Sequence, residues 1–395
     1  MRTFRTFGIV FLTWVLWLLV SQYFFCNRYS FPDPVAFEGS EIFNPYDSLN
    51  PAHWVKGNFH AHAHAWNGIT NGHGTAEDIH AAYDSLQYGV HCVSNYHQID
   101  TTHSTSLATY LPAYEHGYNI RKTHQLVLGS TGVQWIDYLF PQTVHNKQHV
   151  LDQLKQWGTV TILNHPGLRT GYTDEDMAQL ENYDCMEVLN PSVTSTSAWD
   201  AALSAGKRVF IVGDDDIHNV LTKERLGTMC TFVNLPKKSG QNVLEALRTG
   251  KSYGVKIGKE QDLTDMPYLK KLTVNADSVL VEMSHPADEI LVTGQEGKNI
   301  RTANTADHIK FKFAKNDHYA RTTFHYANGT SIYLNPVFFT SPSGYQPGVP
   351  VIHHQETLLY RTVGVLILGT WMALIWRLTA GNRPQRFRLR RLVFR

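Results

Sequence analysis

The chain has 395 residues, of which 43% are hydrophobic, and a net charge of +1. That length suits one large domain with a smaller companion. The charge balance leaves no global field of the kind that favours nucleic acid. Four scattered cysteines (Cys26, Cys92, Cys185, Cys230) form no CxxC pair, so neither a disulfide scaffold nor a cysteine zinc site is indicated.

Residues 1–27 carry an apolar run, FGIVFLTWVLWLLVSQYFF, preceded by Arg2 and Arg5. It is long enough to cross a bilayer, and no small-x-small cleavage site follows it, so an uncleaved transmembrane anchor is expected. Residues 28–54, rich in Pro, Asn, Ser and Phe, read as a connector. From 55 to 257 short apolar strands alternate with helical stretches. Strands are expected at 55–60, 88–95, 124–130, 158–164, 183–190, 207–213 and 227–234. Helices are expected at 75–87, 147–157, 173–183, 196–206 and 242–250. About seven strand–helix units fit a seven- or eight-stranded α/β barrel. Residues 258–340 alternate without a long helix, which predicts a small β-sandwich; its Asn328-Gly329 marks a hairpin turn.

A Pro/Gly-rich linker (341–356) leads to a second apolar helix at 357–377, interrupted by Arg361 near its start. The tail, 378–395, is arginine-rich and has no acid. Both ends are basic, so the positive-inside rule puts both termini in the cytoplasm. The intervening chain is then extracytoplasmic, periplasmic if the membrane is an inner membrane. The bilayer is therefore an expected partner and nucleic acid is not. Oligomeric state leaves no trace in the sequence.

Fourteen of the 21 histidines lie between His53 and His165. His60, His62 and His64 alternate, so on a strand all three face one side. Imidazole is the commonest nitrogen ligand for zinc and similar metals. Other strand ends carry Asn95 and His97, Gln134, Asn164 and His165, Glu187 and Asn190, and Asp214, Asp215, Asp216 and His218. An α/β barrel gathers such ends at one face. His53, His80, His91, His103, His116 and His124 fit no such set and read as surface or capping residues. His73 reads as a loop residue and His149 as structural.

With these motifs in order, residues 56–234 resemble the PHP (polymerase and histidinol phosphatase) family of metal-dependent phosphoesterases. GNFHAHAH is similar to its opening strand, LNHPG to its Asn-His-Pro signature, and GDDDIH to its Gly-Ser-Asp-x-His ending. The resemblance implies a distorted (β/α)7 barrel, and the following β domain is similar to one on exported members. It implies metal ligands at His60, His62, His64, His97, His145, His165, Asp216 and His218, with Gln134 where the family has a bridging Glu. Asn71 and Asn95 likewise stand where it has Asp. One to three divalent ions (Zn, Mn or Fe) would activate water, with Asp216 and His218 as catalytic groups, against a small-molecule or headgroup ester. The missing carboxylates leave a second reading open: a degenerate, non-catalytic barrel that binds metal or ligand.

Overall fold

The computed structural model describes residues 2–380. Contacts divide the chain into two units, one made by the residues up to Ser30 and from Ile352, the other by Phe31–Val351.

In the first unit, Thr3–Tyr23 and His354–Ala380 are helices long and apolar enough to cross a membrane. Large apolar side chains such as Phe7, Trp14, Leu366 and Trp376 point outward from them. Such a surface is costly in water and suits lipid. The helices meet at Gly364, where a Cβ would stand 2.7 Å from the Phe25 ring. Trp371 Nε1 donates to Thr13 Oγ1 at 2.9 Å. The guanidinium of Arg361 reaches Asn27 Oδ1 at 2.9 Å, which meets its hydrogen-bonding need at the end of the apolar stretch. The basic tail beyond Ala380 lies outside the described residues.

The second unit is mixed α/β. Its strands are β1 (Trp54–Asn58), β2 (Val90–His91), β3 (Ala113–His116), β4 (Gln125–Leu128), β5 (Val160–Leu163), β6 (Cys185–Asn190), β7 (Phe210–Gly213), β8 (Met229–Asn234) and β9 (Ser252–Lys256). These are followed by β10 (Leu269–Asn275), β11 (Ser278–Thr293), β12 (Asn299–Lys312), β13 (Tyr319–His325) and β14 (Ser331–Leu334). Helix α1 (Ala76–Ser85) starts on a capping box: Thr75 Oγ1 accepts from the Asp78 amide, and the Asp78 carboxylate accepts from that of Thr75. Helix α2 (Val144–Leu154) starts the same way at Thr143 and Asn146.

Two sheets result. A six-stranded sheet has the order β7-β6-β5-β4-β3, with Val193–Thr194 added on β6. An 11-stranded sheet runs β10-β11-β13-β14-β9-β8-β1-β2, with further strands beside this path. Among the described residues there is no closed barrel. Two local features keep the ring open. β3 and β4 form an antiparallel hairpin at one edge, where a barrel needs a parallel neighbour. Beyond β2, the chain crosses to β3 through 92–112 without a strand. Single bridges, Ala61 to Ile217 and Tyr96 to Glu115, stand in for ladders at the seams. The residues expected as a separate sandwich continue the larger sheet, because β14 pairs with β9 and β9 with β8.

Burial also separates the histidines. His80 on α1 and His91 on β2 are each 3% exposed, and their Nδ1 atoms lie 2.7 Å apart. Burial first, and then the neighbouring His91 and His103, push His80 down to about 4 from an ordinary value of 6.5. The folded chain therefore holds fewer protons than the unfolded chain between those values. Stability from this pair is present above the unfolded value and falls as pH drops through that window. His80→Gln should flatten the loss of melting temperature between pH 6.5 and 4. Thermal unfolding across that range checks it, and an unchanged slope would contradict it.

Candidate metal centre

β1 delivers His60 and His62. The chain stays extended past Asn58 because Phe59 N donates to Asp214 Oδ1 at 2.6 Å and His62 N to Ile217 O at 2.8 Å. Ala63 N donates to Asn95 Oδ1 at 2.9 Å. Both imidazoles therefore face the same side and are buried. The hairpin β3–β4 delivers Glu115 and, one residue before β4, His124. His165 follows β5, Glu187 lies within β6, and Asp216 and His218 follow β7. His165 has φ 30° and Asp216 φ 46°. Positive φ costs a non-glycine residue energy and is found where a side chain must be aimed.

The donor atoms converge. His60 Nε2 lies 3.1 Å from His62 Nε2, 3.4 Å from Glu115 Oε1 and 3.2 Å from Asp216 Oδ1. His62 Nε2 lies 3.1 Å from Glu115 Oε2. Glu115 Oε1 also faces His124 Nδ1 at 2.8 Å and His165 Nε2 at 3.6 Å. Asp216 Oδ1 faces His218 Nε2 at 3.3 Å. Three overlapping groups follow: His60, His62 and Glu115; His62, Asp216 and His218; Glu115, His124 and His165. Metal bonds of ~2.0–2.1 Å in a tetrahedron put ligand atoms about 3.3 Å apart. The observed spacings fit that edge. Glu115 Oε2 is buried and makes no well-aligned hydrogen bond, with only His62 Nε2 near it at 3.1 Å, a costly state that a cation relieves. The donor set thus fits a divalent metal.

Electrostatics follow the same contacts. Burial works against charge on His60, but Asp216, Glu187 and Glu115 overcome it and hold the imidazole well above its usual range. Burial opposes the Asp216 carboxylate too, yet His60, His218 and His62 hold it well below the usual range. Asp214, two residues earlier, is pushed well up by burial and by Glu187. Burial lifts Asp215 to about 6, against hydrogen bonds from Met229, Gly227, Tyr83 and Thr228. Three consecutive aspartates thus acquire different characters from their surroundings.

A supporting layer fixes the donors. Glu187 Oε1 lies 2.9 Å from His60 Nδ1, which turns the Nε2 of that ring toward the cluster. Glu187 Oε2 accepts from the His165 amide at 2.8 Å. Asn190 Nδ2 bridges Glu187 and Asp216, at 3.3 and 3.2 Å. Asn164 Nδ2 donates to Glu115 Oε1 at 3.0 Å. Asn95 and Asn164, read as strand-end polar groups, act here as backbone and carboxylate clamps.

Of the residues expected as ligands, His60, His62, His165, Asp216 and His218 come together. His64 does not join them: it is exposed, and the chain leaves the extended path just after it, through Trp66 and Asn67 with positive φ. His97 points to Gln134 O at 3.1 Å and stacks on Trp135. Gln134 Oε1 accepts from the amides of Trp135 and Ile136, its own loop. His145 lies on α2 with its ring near Phe31. Glu115 and His124 join the cluster although neither was expected there. Their signal is faint. β3 has four residues, too few to show alternation, and no strand was expected at 113–116. In the sequence His124 reads as a surface or capping residue, because Glu115, its partner at 2.8 Å, is brought to it only by the β3–β4 pairing.

No protein-family model matches this chain, and no curated protein matches it. Among solved structures it is similar to a two-domain protein from Bacteroides vulgatus, described as containing a predicted PHP-like metal-dependent phosphoesterase. The identity is 14%, the match covers 82% of this chain and 100% of that chain, and the TM-score is 0.40. A likeness this distant carries no argument about activity.

Two substitutions separate Glu115 from Gln134. Glu115→Gln should lose most bound metal, whereas Gln134→Ala should keep it, as read by elemental analysis of the purified chain. The reverse pattern would overturn the assignment of Glu115. Glu187→Gln should weaken metal binding ~10–100-fold by freeing the His60 ring. Chelator competition measures that change.

Proposed function

We propose that this chain is a metal-dependent hydrolase, a phosphoesterase, fixed to a membrane by two helices. The observation that carries the reading is the convergence of His60, His62, Glu115, His124, His165, Asp216 and His218 on shared carboxylate oxygens. His60, His62, Glu115 and Asp216 would hold one ion, and Glu115, His124 and His165 a second. Asp216 and His218 would serve a third if one binds. A divalent ion held there lowers the pKa of a water from ~15.7 to ~7 and polarises a phosphoryl oxygen.

The residues contribute the rest. His60 is locked in orientation by Glu187, so its donor atom is in place before a ligand arrives. His218 is the open member, with its side chain 26% exposed. It is suited to passing a proton to the leaving oxygen. Asp216, held ionised by its histidines, orients that ring through Nε2. Zinc, manganese and iron all suit a mixed imidazole–carboxylate set. The second reading, a non-catalytic chain that binds metal or ligand, draws on the amides at Asn71, Asn95 and Gln134; the buried Glu115 among the donors supports the hydrolase reading.

We further propose that residues 55–257 are a distorted (β/α)7 arrangement of the PHP type, open at β3; the order of the motifs along residues 56–234 supports that reading. On this reading the Phe31–Val351 unit lies outside the cytoplasm, in the periplasm of a cell with an inner membrane. The basic ends argue for that orientation. The substrate is a small-molecule or headgroup phosphoester.

The full-length chain in detergent, loaded with zinc, manganese or iron, should hydrolyse chromogenic phosphomonoesters or diesters. His60→Ala and Asp216→Ala should each cost on the order of 10²–10³-fold or more. A wild-type chain that binds no metal, or turns over no ester with any of the three, would refute the reading. Topology is independent of this. A reporter fused after Arg395 should read cytoplasmic, and an outward signal would reverse the orientation.

A further inference from the structure

We propose that the protein carries a second ligand site, separate from the metal centre: a cationic cavity at the starts of β6 and β7 that binds a small oxyanion of the phosphate type. The site needs no metal and does not rest on the hydrolase reading.

The cavity has a volume of about 240 Å³. That is below the ~300–1,000 Å³ of sites for drug-sized ligands, so its ligand is small. Cations from three stretches of chain line it: Lys155 just after α2, Lys207 and Arg208 just before β7, and Arg248 in the last turn of the helix Gly240–Thr249. Against these four stand two carboxylates, Glu181 and Asp184, which leaves an excess of two positive charges. Lys207 pairs with Glu181. Arg248 Nε stands 3.9 Å from Asp184 Oδ1, a long pair. Lys155 Nζ donates to Asn182 Oδ1 at 2.8 Å, and the Arg208 guanidinium lies 5.0 Å from the centre of the Tyr345 ring. Neither Lys155 nor Arg208 forms an ion pair among the described residues. The cations nevertheless converge. Burial pushes the Asp184 carboxyl up, while the Thr161 amide, and then Arg248, Lys155 and Arg208, pull it down. Three cations thus act on one carboxylate, of which one oxygen already accepts from the Thr161 amide at 3.0 Å. A cleft lined by an excess of one sign concentrates ions of the other.

A buried donor points to the same ligand. Tyr183 lines the cavity, and its hydroxyl is buried without a hydrogen-bond partner. Leaving a buried hydroxyl unpaired costs free energy. Burial, and then the neighbouring Glu181, Tyr345 and Tyr172, hold that hydroxyl well above its ordinary range, so it keeps its proton and offers it as a donor. An oxyanion accepts from the hydroxyl and from the ammonium and guanidinium groups together, through charge-assisted hydrogen bonds. A cation would meet the excess positive charge, and an apolar ligand would leave the hydroxyl unpaired. The site is distinct from the metal centre. Asp184 immediately precedes β6, and Glu187, which orients His60, lies three residues further on. At ~3.3 Å per residue the two are about 10 Å apart along the strand. Arg208 likewise precedes β7, whereas Asp216 follows it.

Radiolabelled inorganic phosphate, dialysed to equilibrium against the full-length chain in detergent at constant ionic strength, tests this. The double variant Lys155→Gln, Arg208→Gln should bind one phosphate fewer per chain than wild type, with its metal content unchanged by elemental analysis. Both side chains are exposed, so the double variant should keep its melting temperature in phosphate-free buffer. Tyr183→Phe, which removes only the hydroxyl, should weaken phosphate binding at this site about tenfold. Equal stoichiometry and affinity in wild type and double variant would overturn the proposal, as would a wild type that takes up no phosphate. A lost phosphate accompanied by lost metal would assign that phosphate to the metal centre and overturn it too. Phosphate held by a wild type that binds no metal would support this site while refuting the hydrolase reading.

Discussion

One buried carboxylate organises the centre. Glu115 is inaccessible to solvent and faces His60, His62, His124 and His165 at 2.8 to 3.6 Å. Removing a carboxylate from water costs several kcal/mol, and only close opposite charge or strong hydrogen bonds return it. In a folded chain without a cation, protonated imidazoles serve. With a divalent ion the same oxygens serve as ligands, and protons leave. The hairpin β3–β4, the turns with positive φ at His165 and Asp216, and the Asn164 clamp all answer to this one group.

The open architecture follows from the same requirement. A closed parallel ring would place one strand end after another around an axis. Here the β3–β4 hairpin inserts an antiparallel pair, so both Glu115 and His124 enter from one side. The two sheets then meet across Phe59–His62, through single bridges and through Asp214 and Asp215. Asp215 accepts from Gly227, Thr228 and Met229, which fixes the entry to β8 beside the site. The run of three aspartates is thus divided: two hold the scaffold and Asp216 faces the donors.

The sequence by itself determined the apolar helices, the alternation of strands and helices, and the capped start of the helix after Thr75. These depend on neighbours a few residues apart, so local pattern suffices. It also made His60, His62, His165, Asp216 and His218 legible, because each sits at or beyond a strand end in a short, recognisable motif. Tertiary structure alone decided the rest. Glu115 and His124 meet because a four-residue strand turns back on its neighbour, a pairing too short to leave periodicity. His64 and His97 lack a place among the donors because the chain changes direction beside them, with φ 52° at Trp66 and φ 48° at His97. Spacing along the chain cannot report that. Which of Asp214, Asp215 and Asp216 stays charged depends on burial and through-space charge, and those exist only once the sheets have come together.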